Sequence, residues 1–294
     1  MSASVALDSR PTRRAEREIA ARRSWKITVW VIAIAVLAIV IVGLTYQALG
    51  GRWFIVQTPS MGQTAPIGTL VLDSPARYGS LKVGEIISFH PPTDPSETYT
   101  HRIVKIDDGA ISTRGDINGE ADPWQLHSGD IIGRVTTILP GVGWLLRGLP
   151  FLLIGGVVIW LITTPLRSPT SRAAWRISGF AFVVAIAAYV LRPFVGVIVL
   201  ATTTGHHSAS ATLVSSGLLP IRVTALHGTS VHLVSGQVGE VKVPSLTSTG
   251  HYVISSALDL SFLGWVVFIL FCLAPLLWVF LVGLPADPDR ELRR

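Results

Sequence analysis

The chain is poor in cysteine and in charge, and both shortages limit what it can be. Its single cysteine, Cys272, falls inside an apolar run, so no intrachain disulfide can form. Only 14% of the residues are charged, whereas 49% are hydrophobic and the mean hydropathy is +0.53. The folded parts must therefore be held by sheet hydrogen bonds and burial, and the apolar excess predicts an integral membrane protein.

The apolar residues are gathered into four long blocks, which predict four transmembrane helices. The predicted spans are residues 27–49, 150–166, 177–202 and 260–284. The first block runs for about 23 residues without a charge and is not followed by a cleavage site of small residues. It is therefore predicted to be a retained anchor and not a signal peptide.

Basic residues flank these blocks on one side and predict the orientation of the chain. The tail 1–26, the connector 167–176 and the tail 285–294 are all predicted to be cytoplasmic. Two segments, 50–149 and 203–259, then lie outside. Because the net charge of +6 is concentrated in the membrane-flanking segments, we expect a lipid bilayer as a partner and no nucleic acid.

The two external segments both have the character of β structure. Residues 50–149 alternate short β-branched runs with Gly, Pro and Asp turns, which predicts one compact, mostly β domain. Residues 203–259 alternate in places and are rich in Ser, Thr and Gly, which predicts a small β domain or an ordered loop.

Three separated segments of 50–149 carry the residue types of an activated hydroxyl nucleophile. Ser60 lies beside Met61, His101 lies in a β-branched run, and Asp116 and Asp122 follow in a polar stretch. Taken alone, each has an ordinary structural explanation, since serines beside proline usually form turns and histidines often sit in a core. The interpretation depends on their occurring together.

Together these motifs resemble those of signal peptidase I, in the histidine-type branch found in the endoplasmic reticulum, archaea and some Gram-positive bacteria. The resemblance covers residues 53–143. Its parts are similar to the nucleophile motif (Ser60-Met61), the Gly-acid-hydrophobic strand (Val83–Phe89), the histidine motif (Thr100–Val104), the acidic loop (Gly115-Asp116 and Asp122) and the closing strand (Asp130–Arg134, with Pro140 and Gly143). Two motifs depart from the family pattern: Thr58-Pro59 replaces the usual Ser-Gly before the nucleophile, and Ile117 replaces a frequent Asn in the acidic loop.

The resemblance implies a membrane-bound serine endopeptidase that removes signal peptides from exported preproteins on the outer face of the membrane. Ser60 would be the nucleophile, His101 the base, and Asp122 the residue that orients His101, with Asp116 as the alternative orienter. The Ser60 backbone N–H and the Thr58 hydroxyl would stabilise the oxyanion. The predicted fold class is a membrane protein with a mostly β external catalytic domain carried by about four transmembrane α-helices, and a second small external β-rich segment.

Other expectations complete this interpretation. Lys105 is an alternative base, because it lies four residues after His101 and faces the same side in a regular strand. His206-His207 has no acid or cysteine nearby, so no metal is expected, and no cofactor either. The resemblance also implies a multi-pass plasma-membrane protein of a prokaryote, with the protein export machinery as a further candidate partner. The alternative function is a catalytically silent membrane scaffold that binds secreted or pilin-like proteins.

Overall fold

The computed structural model describes residues 13–192, 194–205, 208–243 and 253–284. The chain divides into two compact units, Met1–Arg52 and Trp53–Arg294. Of the features predicted above, the first part of the basic tail, the pair His206-His207 and the tail 285–294 lie outside the described residues.

Four helices in the described part of the chain are long and apolar enough to cross a membrane. They are α1 (Arg13–Ala48), α2 (Val142–Thr163), α3 (Pro169–Leu191) and α4 (Phe262–Val282). Most of the large apolar side chains described on them are exposed. Helices that are apolar on every face and exposed in this way are suited to a lipid surrounding.

Three of these helices differ from the predicted spans by more than the usual uncertainty at helix ends. Helix α1 extends back to Arg13 from the predicted start at residue 27, and α3 begins at Pro169 and not at residue 177. Helix α2 begins at Val142 and not at residue 150, because its first turn is anchored by Trp144, whose indole N–H donates to the Ile67 carbonyl over 3.1 Å. Helix α3 ends at Leu191 and not at residue 202, because Arg192 adopts a left-handed conformation (φ 49°). The apolar residues that follow it form a strand, which composition alone could not distinguish from a helix.

Helices α2 and α3 form a tightly packed hairpin. Gly155 lies against Val183, and Gly179 lies against Ile159, so closely that a methyl group at either glycine would overlap the opposing side chain. Small residues of this kind let membrane helices approach each other. At the connection, Arg172 donates to the carbonyl of Leu166, just beyond the end of α2.

The first β domain is a six-stranded sheet in the order β1-β2-β6-β3-β4-β5. Its strands are β1 (Arg52–Ile55), β2 (Leu70–Ser74), β3 (Ile86–Phe89), β4 (Tyr99–Asp107), β5 (Ala110–Arg114) and β6 (Ile131–Leu139). One apolar cluster includes Ile87, Phe89 and Ile103, and a second includes Met61 and Val71. Because side chains alternate between faces along a strand, the sheet is buried on both sides at its centre.

The second β domain lies between α3 and α4 and consists of two three-stranded antiparallel sheets. Its strands are β7 (Val197–Thr204), β8 (Ala209–Ser215), β9 (Ile221–Ala225), β10 (Ser230–Leu233), β11 (Val238–Val243) and β12 (Ile254–Leu258). The two sheets share a core that includes Leu213, Ile221, Val223 and Val241, all fully buried. This segment therefore has a hydrophobic core of its own.

Asp73 is a buried carboxyl in the first β domain, with 1% of its surface exposed. It lies on β2 beside Gly133 of the neighbouring strand. A Cβ added at Gly133 would lie 3.2 Å from the Cβ of Asp73. Burial raises the pKa of Asp73 from 3.8 to about 6, although a hydrogen bond with Ser88 acts in the opposite direction. Ionisation of this group therefore opposes folding.

We predict that Asp73 makes the protein less stable as the pH rises. Its pKa is about 6 in the folded state against an ordinary 3.8, so ionisation costs roughly 3 kcal/mol of stability. This cost is absent below the unfolded pKa, grows between the two values, and is complete above the folded pKa. Thermal unfolding of detergent-solubilised protein should show that Asp73→Asn gains stability at pH 7 but not at pH 3.5. Asp108→Asn, in an exposed turn, is the control and should leave the pH dependence unchanged.

Candidate active site

Ser60 lies at the corner of two consecutive turns, which we call the Ser60 turn (residues 59–64). The Gly62 N–H donates to the Pro59 carbonyl over 2.8 Å, and the Thr64 N–H donates to the Met61 carbonyl over 3.1 Å. Met61 is 1% exposed and packs into a core cluster. The buried Met61 therefore anchors the turn, while Ser60 beside it remains half-exposed.

His101 lies on β4 and its side chain is buried among aromatic rings. Only 3% of the residue is exposed. The rings of Tyr99 and Phe89 meet the imidazole edge-on, with centroids 5.6 and 6.1 Å away. This packing excludes water and restricts the orientation of the imidazole ring.

Ser60, His101 and Asp122 are joined in one line of hydrogen bonds. The His101 Nδ1 lies 2.7 Å from Asp122 Oδ2, and the His101 Nε2 lies 3.0 Å from Ser60 Oγ. The Asp122 carboxylate accepts a hydrogen bond from the Nδ1–H group, so the proton of the neutral ring stays on Nδ1. The lone pair of Nε2 therefore faces the serine hydroxyl. In this arrangement the imidazole can accept the serine proton.

Asp122 is held in place by Thr113 of strand β5. The Thr113 hydroxyl donates to Asp122 Oδ2 over 2.6 Å, and the Asp122 N–H donates to the Thr113 carbonyl over 2.8 Å. Thr113 is fully buried, and the Asp122 side chain is 6% exposed. The carboxylate therefore has two donors, His101 and Thr113, in a site with little water, where hydrogen bonds are electrostatically stronger.

The loop that carries Asp122 (residues 115–122, the acidic loop) also packs on the Ser60 turn. The Ile117 N–H donates to the Ser60 carbonyl over 3.0 Å. A Cβ at Gly115 would lie 2.8 Å from that carbonyl oxygen and 2.9 Å from the Ser60 Cβ, so only glycine fits. One loop thus positions the serine and the partner of the histidine.

The hydrogen-bond partners of Asp116, the alternative orienter, are Arg102 and Thr64 and not His101. Arg102 binds both of its carboxylate oxygens, at 2.8 and 2.7 Å, and the Thr64 hydroxyl donates to it over 2.6 Å. Burial would raise the pKa of Asp116, but the hydrogen bonds from Arg102 and Thr64 and the charge of Arg102 hold it below its ordinary value. Asp116 therefore links the Ser60 turn to the residue that follows His101 on β4.

Two donors could face an oxyanion at Ser60. The Thr58 hydroxyl lies 3.4 Å from Ser60 Oγ and is exposed. In the part of the chain that the structure describes, the Ser60 N–H donates no hydrogen bond to another residue. The Ser60 N–H is therefore free to donate to a bound substrate, whereas the Thr58 hydroxyl would first have to leave its hydrogen bond with Ser60 Oγ.

Lys105, the alternative base, does not reach the site. A register shift between Ile103 and Lys105 interrupts the regular alternation of β4. The Lys105 side chain is 66% exposed, and its ammonium pairs with Asp107 at 2.6 Å. Lys105 would share a face with His101 only in a regular strand, and the register shift makes β4 irregular between the two residues.

Three residues that support the site, Thr113, Arg102 and Thr64, were not among the predicted site residues. Arg102 and Thr64 are each close in sequence to a predicted site residue, so inspection of the motif neighbours could have found them. Thr113 carries no such signal, because only the return of the acidic loop onto β5 brings it to Asp122.

A hydroxyl, an imidazole and a carboxylate in one hydrogen-bonded line is the arrangement that serine peptidases use. Residues 25–118, about a third of the chain, match the family described as signal peptidase, peptidase S26. This match supports assignment of the chain to the signal peptidase I family and confirms the resemblance found in its motifs. The family implies a serine peptidase that acts on signal peptides. A search of curated proteins finds no match.

We predict that Asp116→Asn destabilises the protein at neutral pH and not in strong acid. The pKa of Asp116 is lowered in the fold, so its contribution is present above the ordinary pKa of 3.8 and is lost as the pH falls through the folded value. The melting temperature of the variant should lie below that of the wild type at pH 7, and the two should converge at low pH. A constant difference across this range would contradict the role of the ion pair with Arg102.

Proposed function

We propose that the protein is a membrane-bound serine endopeptidase that removes signal peptides from exported preproteins. The observation that carries the proposal is the buried chain of hydrogen bonds from Ser60 through His101 to Asp122. A buried carboxylate and imidazole are costly to place in a core, and they are found together where proton transfer needs them. A scaffold that only binds secreted or pilin-like proteins has no need of this arrangement.

In the proposed reaction Ser60 Oγ attacks the scissile carbonyl carbon while its proton passes to His101 Nε2. The Ser60 N–H and the Thr58 hydroxyl donate to the oxyanion that forms. His101 then gives the proton to the leaving amine, the carbon–nitrogen bond breaks, and an acyl-enzyme on Ser60 remains. Water, deprotonated by the same imidazole, hydrolyses the ester, while Asp122 stabilises the imidazolium in both halves of the reaction.

We place both β domains on the outer face of the membrane. Arg167 lies in the short connector between α2 and α3, and Arg172 and Arg176 lie near the start of α3; basic residues at such a connection stay on the cytoplasmic side. With α1, α2, α3 and α4 as spans, this orientation puts the chain termini inside and both β domains outside. Substrates would then be preproteins whose signal peptides have crossed the bilayer, so the export machinery is a candidate partner.

We predict that Ser60→Ala and His101→Ala each abolish cleavage and that the double variant is no worse than either. The two residues transfer one proton between them, so removing either one removes their joint contribution, which reaches about a million-fold in serine peptidases. The measurement is kcat on a panel of precursors, with mass spectrometry of the new amino termini. Lys105→Ala should cleave at the wild-type rate.

Two results would contradict this assignment. Cleavage that survives Ser60→Ala would exclude Ser60 as the nucleophile. Cleavage that survives His101→Ala but is lost in Lys105→Ala would make Lys105 the base. If no precursor is cut and Ser60 of the wild type resists an acylating inhibitor, the scaffold alternative would be favoured instead.

We predict that Asp122→Asn lowers kcat by about ten-thousand-fold, the effect that the wrong imidazole tautomer has in other serine peptidases. An amide NH₂ can donate to His101 Nδ1 and so favours the tautomer that presents no lone pair to Ser60. Asp116→Asn is the matched control, because it removes the same charge from the same loop without touching the imidazole. Its loss of kcat should be much smaller. Equal losses of kcat in the two variants would contradict the assignment of Asp122 as the residue that orients His101.

A further inference from the structure

The second β domain reaches the Ser60 turn through one of its own turns. This turn, residues 234–237, connects β10 to β11 and contains Gly236 at φ 73°; we call it the Gly236 turn. A Cβ at Gly236 would lie 2.6 Å from the carbonyl carbon of Gly62 and 2.9 Å from the nitrogen of Gln63. The two turns therefore meet backbone to backbone, with no side chain between them.

The Gly236 turn is rigid, because hydrogen bonds hold it on each side. The Gln237 N–H donates to the Val234 carbonyl over 2.9 Å, and the Val234 N–H donates to the Gln237 side-chain oxygen over 3.0 Å. The Gly236 N–H donates to the Ser215 carbonyl of β8 over 2.9 Å. Because the Gly236 turn is held in this way, it can resist displacement of the Ser60 turn that packs against it.

Gly62 is the residue on which these contacts converge. A Cβ at Gly62 would meet the side chain of Ile117 from the acidic loop and would lie 3.4 Å from the Gly236 carbonyl oxygen. The Gly62 N–H closes the turn that contains Ser60, through the bond to Pro59. A displacement of Gly62 would therefore shift Ser60 relative to His101, whose hydrogen bond to the serine is 3.0 Å long.

We propose that the second β domain positions the nucleophile and that Gly236 is the positioning residue. The acidic loop supports the Ser60 turn from the first β domain, and the Gly236 turn supports it from the second. Gly236 does not touch the reacting atoms, so it acts through Gly62. This inference rests on the proposed peptidase function.

The test adds one methyl group at Gly236 of the full-length protein in detergent. Gly236→Ala should lower kcat by about tenfold or more with KM changed less than about twofold, because a misplacement near 1 Å costs about a hundredfold in rate. The rate of Ser60 acylation by a small inhibitor should fall in parallel. A purely structural effect would lower the fraction of active protein without changing the acylation rate of the molecules that react.

Two glycines provide matched controls. Gly239→Ala, in β11, would press on Leu233 and Val231 within the second β domain, so it perturbs that domain without reaching the Ser60 turn. Gly109→Ala introduces a side chain at another positive φ (76°), with no atom within 4 Å of its Cβ. Both variants should keep the wild-type kcat per active site, even where the melting temperature falls.

Gln237→Ala decides the question if Gly236→Ala does not fold. It removes the acceptor for the Val234 N–H and adds no atoms, so the Gly236 turn loosens without a clash. A several-fold loss of kcat and of the acylation rate in folded protein would support the inference. If Gly236→Ala folds and matches Gly239→Ala, or if it fails to fold and Gln237→Ala keeps the wild-type kcat, the inference is overturned. An inactive wild type whose Ser60 cannot be acylated would instead contradict the proposed function itself.

Discussion

The hydrogen bond between His101 and Asp122 is the interaction on which the rest of the site depends. Both side chains are almost completely buried, so neither could stay there without the other. The bond also determines which ring nitrogen faces Ser60, because the carboxylate keeps the proton on Nδ1. Thr113 restricts the carboxylate and the aromatic rings restrict the imidazole, so the pair has one arrangement.

Around this pair, the site is assembled from a turn, a strand and a loop that are separate in sequence. The acidic loop connects them, since it supplies Asp122, packs Gly115 on Ser60 and pairs Asp116 with Arg102. Close backbone approaches recur where the pieces meet. Glycines at these positions allow short backbone contacts. An added side chain would clash there, because a backbone cannot rotate out of the way as a side chain can.

Much of the architecture could be predicted because it depends on local pattern. The apolar blocks predicted helices able to cross a membrane, and alternating β-branched runs predicted the strands of the first β domain. Prediction from local pattern failed where a membrane helix and an apolar strand have the same composition. The stretch after Arg192 is as apolar as a helix in lipid, yet β7 forms there because the chain turns at Arg192 and pairs with β8. Similarly, local pattern could not show the register shift in β4 or the ion pair of Lys105 with Asp107.

Composition and short motifs were enough to predict the class of protein, the apolar helices and the residue types available for chemistry, since each of these depends on residues that are close together in the chain. The sequence offered two aspartates for one role, with Asp122 preferred only through the resemblance to the family. In the tertiary structure Asp116 pairs with Arg102, whereas Asp122 is hydrogen-bonded to His101. The tertiary structure also places Thr113 behind the carboxylate and Gly236 against Gly62. Such contacts join residues far apart in the chain, and their geometry depends on strand register and loop path, which no local pattern encodes.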